Sequence, residues 1–124
     1  MTEHERVRQG GSRAYARITN NFLHDMATGT WAACLLVQWV IARRIAGAPD
    51  EAVAVLAEAS TVLFWLLVGA LIVIALTGGI RLRYWKAEAA PGTVAETRKA
   101  LITKHIAFLV IYGGGTWWGW TLIP

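Results

Sequence analysis

Residues 59–80, ASTVLFWLLVGALIVIALTGGI, decide the fold of this chain. They are twenty-two residues in a row without a formal charge, and about 20 mostly apolar residues suffice for a helix to cross the hydrocarbon core of a bilayer. Residues 26–42 and 106–124 are two further stretches without a formal charge. We therefore predict an all-α integral membrane protein with three transmembrane helices, over about residues 21–43, 59–80 and 105–123.

The composition supports a small membrane protein. The chain has 124 residues, which is enough for one domain at most. Hydrophobic residues make up 56% of it and charged residues only 16%, against about 25% charged residues in soluble domains. A single cysteine excludes a disulfide framework. We expect the lipid bilayer as a partner and no nucleic acid.

The basic residues predict the orientation of the three spans. Ten of them lie on one side of the predicted membrane and two on the other, and an excess of Lys and Arg marks cytoplasmic segments. The ten are Arg6, Arg8, Arg13, Arg17, Arg81, Arg83, Lys86, Arg98, Lys99 and Lys104, and the two are Arg43 and Arg44. We predict a multi-pass protein of the cell inner (cytoplasmic) membrane, with its N-terminus inside and its C-terminus outside.

Outside the spans there is little sequence to fold. Residues 1–20 are expected to be a polar cytoplasmic tail, either flexible or forming a short interfacial helix, and residues 21–124 form the transmembrane domain. Pro49 followed by Asp50 and Glu51 is typical of a helix start. That helix should run through Trp85 and end at residues 90–92. Residues 93–96 fit a capping box, so the third helix should begin before it enters the bilayer.

Two histidines are the strongest candidates for chemistry. His24 and His105 each lie near the start of an outward-running span, so both are expected at the cytoplasmic leaflet. Two imidazoles at matched depth on parallel helices are the arrangement that a bis-histidine b-type haem requires. We therefore predict His24 and His105 as metal ligands and haem b as the cofactor.

Other residues at this depth fit the same interpretation. Gly78 and Gly79 leave room for a flat macrocycle because they lack side chains. Arg81 and Lys104 provide cations for the haem propionates, and Arg83 and Lys99 are nearby. Trp31, seven residues after His24, lies on the same helical face about 10 Å deeper and would shield the cofactor from lipid.

The same residues also permit simpler interpretations. The histidines could be ordinary interfacial residues without a ligand, could bind another metal, or could relay protons. Gln38 is expected to donate an interhelical hydrogen bond, and Cys34 to be a packing residue. Asp25 could orient His105 or bind an arginine. Residues 113–115 and Gly119 predict close helix packing, which we expect between subunits.

The opening of the first span also resembles a known family. His24 leads through Thr28 and Trp31 into an apolar run, as in the copper-resistance D-type membrane proteins and their relatives, the bacterial membrane-bound haem-containing protoporphyrinogen oxidases. Residues 76–79 (LTGG) are similar to the Thr-Gly ending of a later span in these families. Lys104 is similar to the lysine that opens the span after it.

This resemblance covers about residues 22–112 and implies a b-haem bound at His24. The oxidases have four spans, whereas three are predicted here, which is a departure from their pattern.

Three functions follow from these observations. The first is a small b-type cytochrome-like subunit that carries electrons through a haem at the cytoplasmic leaflet, within a larger complex. The second is a cofactor-free structural subunit of a respiratory or photosynthetic membrane complex. The third is an enzyme similar to the oxidases of haem biosynthesis. The expected partners are other membrane subunits or a homo-oligomer, with quinone as a candidate electron partner.

Overall fold

The computed structural model describes residues 2–88 and 94–124, and the side chains of residues 2–84 and 98–124. These residues form three helices: α1 (Glu3–Ile45), α2 (Asp50–Glu88) and α3 (Val94–Thr121). The predicted all-helical class is confirmed. At about 1.5 Å per residue, the 43 residues of α1 span roughly 65 Å, which is about twice the hydrocarbon thickness of a bilayer.

Helix α1 begins at the very start of the chain. Thr2 caps it, because its hydroxyl accepts a hydrogen bond from the Glu5 N–H while the Glu5 carboxylate accepts one from the Thr2 N–H. This capping box satisfies two backbone donors that a free helix end would leave unpaired. Residues 3–20, for which we predicted a flexible tail or a short interfacial helix, are the first part of α1.

Helix α2 begins at Asp50, as the sequence predicted, and it extends through the expected Trp85 to Glu88. The carbonyl oxygen of Pro49 accepts hydrogen bonds from the N–H groups of Ala52 and Val53. The acidic side chains of the first turn, Asp50 and Glu51, stabilise the helix because they lie at the positive end of its dipole. Only residues 46–49 separate α1 from α2, and so short a connection makes the helices antiparallel neighbours. The predicted break at residues 90–92 and the Thr93 cap lie outside the described residues.

Antiparallel α1 and α2 form a long hairpin whose contacts recur about every seven residues. The buried residues of α1 are Asn20, Ala27, Trp31, Cys34 and Gln38. Those of α2 are Ser60, Phe64, Leu67, Ala70, Ile74 and Thr77, of which Ser60, Leu67 and Ile74 are fully buried. Spacings of three and four residues place one stripe of each helix against the other, as in coiled coils and helix bundles.

Helix α3 docks on the hairpin through its C-terminal half and runs parallel to α1. Trp31 contacts Gly115 and Thr116, and Gln38 contacts Gly119, so residue numbers rise together along the two helices. We call this end of the bundle the glycine end. The opposite end, where the Arg17 guanidinium lies over the Tyr84 ring, is the basic end.

One helix among the described residues is long and apolar enough to cross a membrane. This segment of α2, Asp50–Tyr84, has a mean hydropathy of 2.6 in its most apolar window. No segment of comparable apolarity lies in the described residues of α1 or α3. By length and composition, one potential membrane span is therefore supported.

Candidate functional site

A polar cluster connects α1 and α2 near the basic end of the hairpin. Nδ1 of His24 lies 2.8 Å from the Thr77 hydroxyl oxygen. The Asn20 side-chain amide, which is buried, donates a hydrogen bond to the Thr77 carbonyl oxygen at 3.1 Å. Asn20 and His24 are four residues apart on α1, so they lie one above the other on the face that meets α2. Thr77 thus forms hydrogen bonds with both side chains.

The hydrogen bonds of Thr77 define the tautomer of His24. The Thr77 hydroxyl is 2.7 Å from the Val73 carbonyl oxygen of its own helix, and two oxygen atoms this close need a proton between them. Its proton is therefore donated to Val73, and the hydroxyl accepts from Nδ1–H of His24. Nε2 of the neutral ring is left with its lone pair, which is the form in which histidine binds a metal or a haem iron.

Glycine on α2 leaves space beside the His24 ring. A Cβ atom added to Gly78 would lie 3.8 Å from Cε1 of His24, with no other atom in range. The neighbouring Gly79 is exposed, and a Cβ there would contact nothing within 4 Å. Of the two glycines predicted to make room for a cofactor, Gly78 is therefore next to the histidine and Gly79 faces outward.

Arg81 fastens the basic end of the hairpin to α1. Its Nε–H donates to the Asn21 side-chain oxygen at 2.8 Å, and its terminal nitrogen is 3.7 Å from an Asp25 carboxylate oxygen. Of the two roles predicted for Asp25, the contact with an arginine is the one observed. Arg81 was predicted to pair with haem propionates. Two of its five N–H donors face Asn21 and Asp25 of α1, and the other N–H donors take no part in these two contacts.

Trp31 fills the junction between α1 and α3. It is buried, its ring centroid is 4.7 Å from that of Tyr112, and its indole N–H donates to the Thr116 hydroxyl at 3.2 Å. A Cβ atom on Gly115 would be 2.5 Å from the Trp31 ring, so only glycine fits there. The predicted close packing of the glycines is confirmed for Gly115, and it occurs within one chain.

The Trp31–Tyr112 contact sets the register of the two histidines. His24 precedes Trp31 by seven residues, and His105 precedes Tyr112 by seven. Seven residues are nearly two helical turns, or about 10 Å, so each histidine lies on the same helical face as the ring it precedes. Because the two helices are parallel, His24 and His105 are offset from this contact in the same direction and by the same distance.

His105 is less constrained than His24. Its side chain is exposed, and its Nδ1–H donates to the Leu101 carbonyl oxygen of its own helix at 2.7 Å. In the neutral ring this bond places the proton on Nδ1, so Nε2 carries the lone pair, as in neutral His24. Lys104, the preceding residue, is exposed as well. The basic-end half of α3 packs only lightly on the hairpin, since Leu101 and Phe108 are only half-buried there. Phe108 contacts Tyr112 of the same helix, with tilted rings whose centroids are 4.1 Å apart.

A second polar group lies at the glycine end. Gln38 is fully buried, and its side-chain amide donates to the carbonyl oxygens of Ser60 at 3.1 Å and Gly119 at 3.4 Å. The interhelical hydrogen bond predicted for Gln38 is confirmed. Cys34 is buried between the same helices, in agreement with its predicted packing role.

Sequence reasoning missed Asn20 and gave Thr77 no part in holding His24. Both are buried and both contribute to the contact that holds His24. A signal was present, because Asn20 continues the seven-residue stripe of Ala27 and Cys34 toward the N-terminus. Thr77 likewise lies three residues after Ile74 on the stripe of α2. A polar residue on an otherwise apolar stripe indicates an interhelical contact.

No family model matches the chain, and no curated protein or solved structure is detectably similar to it.

Proposed function

We propose that the chain is a multi-pass protein of the inner membrane with three spans, its N-terminus in the cytoplasm and its C-terminus outside. Only 28% of the most apolar window of α2 is buried inside the protein, whereas the core helix of a soluble protein is mostly covered. Large apolar side chains on all three helices are exposed, among them Leu36, Trp65 and Leu109. In a bilayer, lipid chains cover such a surface, so its apolar side chains are not exposed to water.

The helix directions support the same placement. Because α2 is antiparallel to α1 and α3 is parallel to α1, the start of α1, the end of α2 and the start of α3 come to one end of the bundle. The basic residues Arg17, Arg81 and Lys104 belong to these segments, while Arg43 and Arg44 lie at the opposite end. Arg43 stacks on the Trp39 ring at 4.4 Å, a pairing suited to a membrane interface.

Within this membrane domain, we propose a b-type cytochrome-like electron-carrying subunit, with His24 and His105 as the axial ligands of one haem. The observation that carries the proposal is the shared register: each histidine lies seven residues below the Trp31–Tyr112 contact, on one of two parallel helices. Both rings donate a hydrogen bond from Nδ1, and in the neutral form of each ring Nε2 carries the lone pair that binds iron. Thr77 would orient the ring of His24, as outer partners of metal ligands do.

The set of ligand-type residues favours haem over a bare metal ion. Among the residues that the structure describes, no three His, Cys, Asp or Glu side chains come together, and zinc sites use three or four protein ligands. A haem supplies four nitrogen atoms itself and needs one or two axial ligands. Gly78 has no side chain beside the His24 ring, where a Cβ would lie 3.8 Å from Cε1, and Arg81 and Lys104 would supply cations for propionates. The bound haem would supply one-electron redox chemistry, with quinone as a candidate partner.

The test is the reduced-minus-oxidised absorption spectrum of the full chain purified from membranes in mild detergent. We expect a six-coordinate, low-spin b-type spectrum, because two imidazoles fill both axial positions. His24→Ala should lose haem or convert it to a five-coordinate form. His4→Ala is the matched control, since His4 is exposed in the first turns of α1, and it should leave the spectrum unchanged.

A cofactor-free structural subunit is the second candidate, and one observation favours it. Thr77 and Asn20 complete the polar contacts of the hairpin end without any ligand, and Trp117 and Trp120 remain exposed on α3 for another subunit. A wild-type protein purified with its native partners and free of haem would make this function the better supported one.

A further inference from the structure

Tryptophans of all three helices lie at one level at the glycine end of the bundle. The level is defined by contacts between the helices: the Gln38 amide donates to the carbonyl oxygens of Ser60 and Gly119, and the Phe64 ring centroid is 5.4 Å from that of Trp120. A tryptophan directly follows Gln38, Phe64 and Gly119 in the sequence. We call the tryptophans of this level the tryptophan belt: Trp39, Trp65, Trp117, Trp118 and Trp120.

The belt lies on the outside of the bundle. Trp65, Trp117, Trp118 and Trp120 are exposed, and Trp39 is half-buried with the Arg43 guanidinium over its ring. One protein partner would cover one side of the bundle, whereas the belt has members on the outer sides of three helices. A planar layer that the bundle crosses contacts all of them at the same level.

The order of side chains along the helices is that of a membrane boundary. Toward the basic end, the belt is followed by exposed apolar side chains, among them Leu36, Ile72 and Ile111. In the other direction, the first charged residues are Arg43 on α1 and Glu58 on α2. A helix that leaves the hydrocarbon core shows this order, because the amphipathic indole ring lies at the headgroup level between the acyl chains and water.

Charged residues define a second level at the basic end. A terminal nitrogen of Arg81 on α2 is 3.7 Å from a carboxylate oxygen of Asp25 on α1. Asp25 follows His24, and Lys104 precedes His105 on α3. Because the two histidines share one register, Lys104 lies at about the level of the Arg81–Asp25 pair.

The distance between the two levels matches a hydrocarbon core. Arg81 is sixteen residues from Trp65 along α2, and Lys104 is sixteen residues from Trp120 along α3. Sixteen residues of helix are about 24 Å long, and Arg and Lys side chains extend a few Å further toward the headgroups, which approaches the core thickness of about 30 Å. The segments between the two levels carry no formal charge: residues 26–39, 65–80 and 105–120.

We propose that the tryptophan belt binds the headgroup layer of the outer leaflet, and that Arg81 and Lys104 mark the inner boundary of the hydrocarbon core. This inference rests on the membrane placement proposed above but not on the haem, and it adds the position of the bilayer on each helix. The indole N–H groups donate to phosphate and ester oxygens of the lipid, while the rings pack on the first carbons of the acyl chains. Residues 3–20 of α1 lie outside the core and extend about 27 Å on the cytoplasmic side.

Nitroxide depth measurements on single-cysteine variants, in vesicles of phosphatidylcholine and phosphatidylglycerol, test this position. In a Cys34→Ala background, belt labels are attached at Val40→Cys, Val62→Cys and Thr121→Cys, and core labels at Ala32→Cys, Ile72→Cys and Ile111→Cys. All six positions are exposed, and all tryptophans are retained. The readout is the collision rate with oxygen, which concentrates in the hydrocarbon core, divided by that with a polar nickel chelate.

We expect the three belt labels to give one common ratio and the three core labels a ratio at least about tenfold higher, because a polar reagent is excluded from the hydrocarbon. Ser12→Cys, at an exposed position of the extension of α1, is the reference in water.

The other results separate two failures. A belt label that is shielded from both reagents on one helix would show a protein partner there and overturn the headgroup contact. Belt labels with the ratio of the core labels would also overturn it, because the hydrocarbon would then extend past the tryptophans. Core labels that match Ser12→Cys would instead contradict the membrane placement itself.

Discussion

The two ends of the bundle differ in how α3 meets the hairpin. At the glycine end, α3 approaches so closely that Gly119 lies against Gln38 and Leu35, and Gly115 lies against Trp31. At the basic end, α1 and α2 remain joined through His24 and Thr77, but the histidine of α3 is exposed. Helix α3 is therefore closely packed at the glycine end, the closed end, and lightly packed at the basic end, the open end, where His24 is half-buried and His105 is exposed.

The largest effect is expected from filling the closed end. Gly115→Ala places a methyl group 2.5 Å from the Trp31 ring, so α3 must shift or leave the hairpin. We expect a loss of about 1–3 kcal/mol in the free energy of unfolding, seen as a lower thermal midpoint in detergent. Gly114→Ala is the control, because a Cβ there meets nothing within 4 Å. Equal effects of the two substitutions would show that α3 does not dock as described.

A smaller effect is expected from removing the polar contact of the closed end. Gln38→Ala deletes the amide that donates to the Ser60 and Gly119 carbonyl oxygens. Interhelical hydrogen bonds in membranes contribute about 1–2 kcal/mol at most, and we expect a loss of this size in reversible unfolding. Leu66→Ala, at an exposed position of α2, should cost much less. If Gln38→Ala left the free energy of unfolding unchanged, packing alone would hold α3 at this end.

At the open end, Thr77→Val should act on the histidine more than on the fold. The substitution keeps the shape of the side chain but removes the oxygen that accepts from His24. We expect a stability loss near the bilayer average of about 0.6 kcal/mol and, for the haem-loaded protein, a roughly 10–100-fold loss of haem affinity. Thr61→Val is the control, since the Thr61 hydroxyl bonds the Ala57 carbonyl of its own helix. If haem titration gave the same affinity for both variants, Thr77 would have no role at the haem site.

The smallest effect is expected at Arg81. Arg81→Lys keeps the charge near Asp25 but loses the Nε–H bond to Asn21. Both members of the ion pair are substantially exposed, so the change in stability should stay below about 1 kcal/mol. Arg83→Lys, at a neighbouring exposed position, should have no effect. A large loss for Arg81→Lys in the same unfolding assay would show that the open end is more tightly organised than this geometry implies.

The sequence predicted the helices better than it predicted their contacts. The uncharged runs and the Pro49–Glu51 start placed α2 correctly, because length and capping are local properties. The contact between His24 and Thr77 depends on the register of α1 against α2, which the connection at residues 46–49 and the packing of Leu67 and Ile74 set together. The light packing of α3 at the basic end was not predictable from apolarity, since Ile102 and Ile106 are apolar and are nevertheless exposed.

The helical nature of residues 3–20 has a similar explanation. Their polar composition indicated a tail, yet the Thr2–Glu5 capping box and the unbroken continuation into the rest of α1 stabilise helix there. Gly10 and Gly11 disfavour helix by about 1 kcal/mol each, which explains why the composition predicted a tail and not a long helix. Arg17 and Tyr84 then pair across the hairpin at the end of this extension.

The most direct test of the central claim is the spin state of the haem in the His105→Ala variant, read by electron paramagnetic resonance beside the wild type. If His24 and His105 are paired ligands across α1 and α3, the wild type is low-spin, and His105→Ala becomes high-spin with one axial position open, while His4→Ala stays low-spin. A His105→Ala protein that keeps the wild-type low-spin signal would contradict the pairing across α1 and α3.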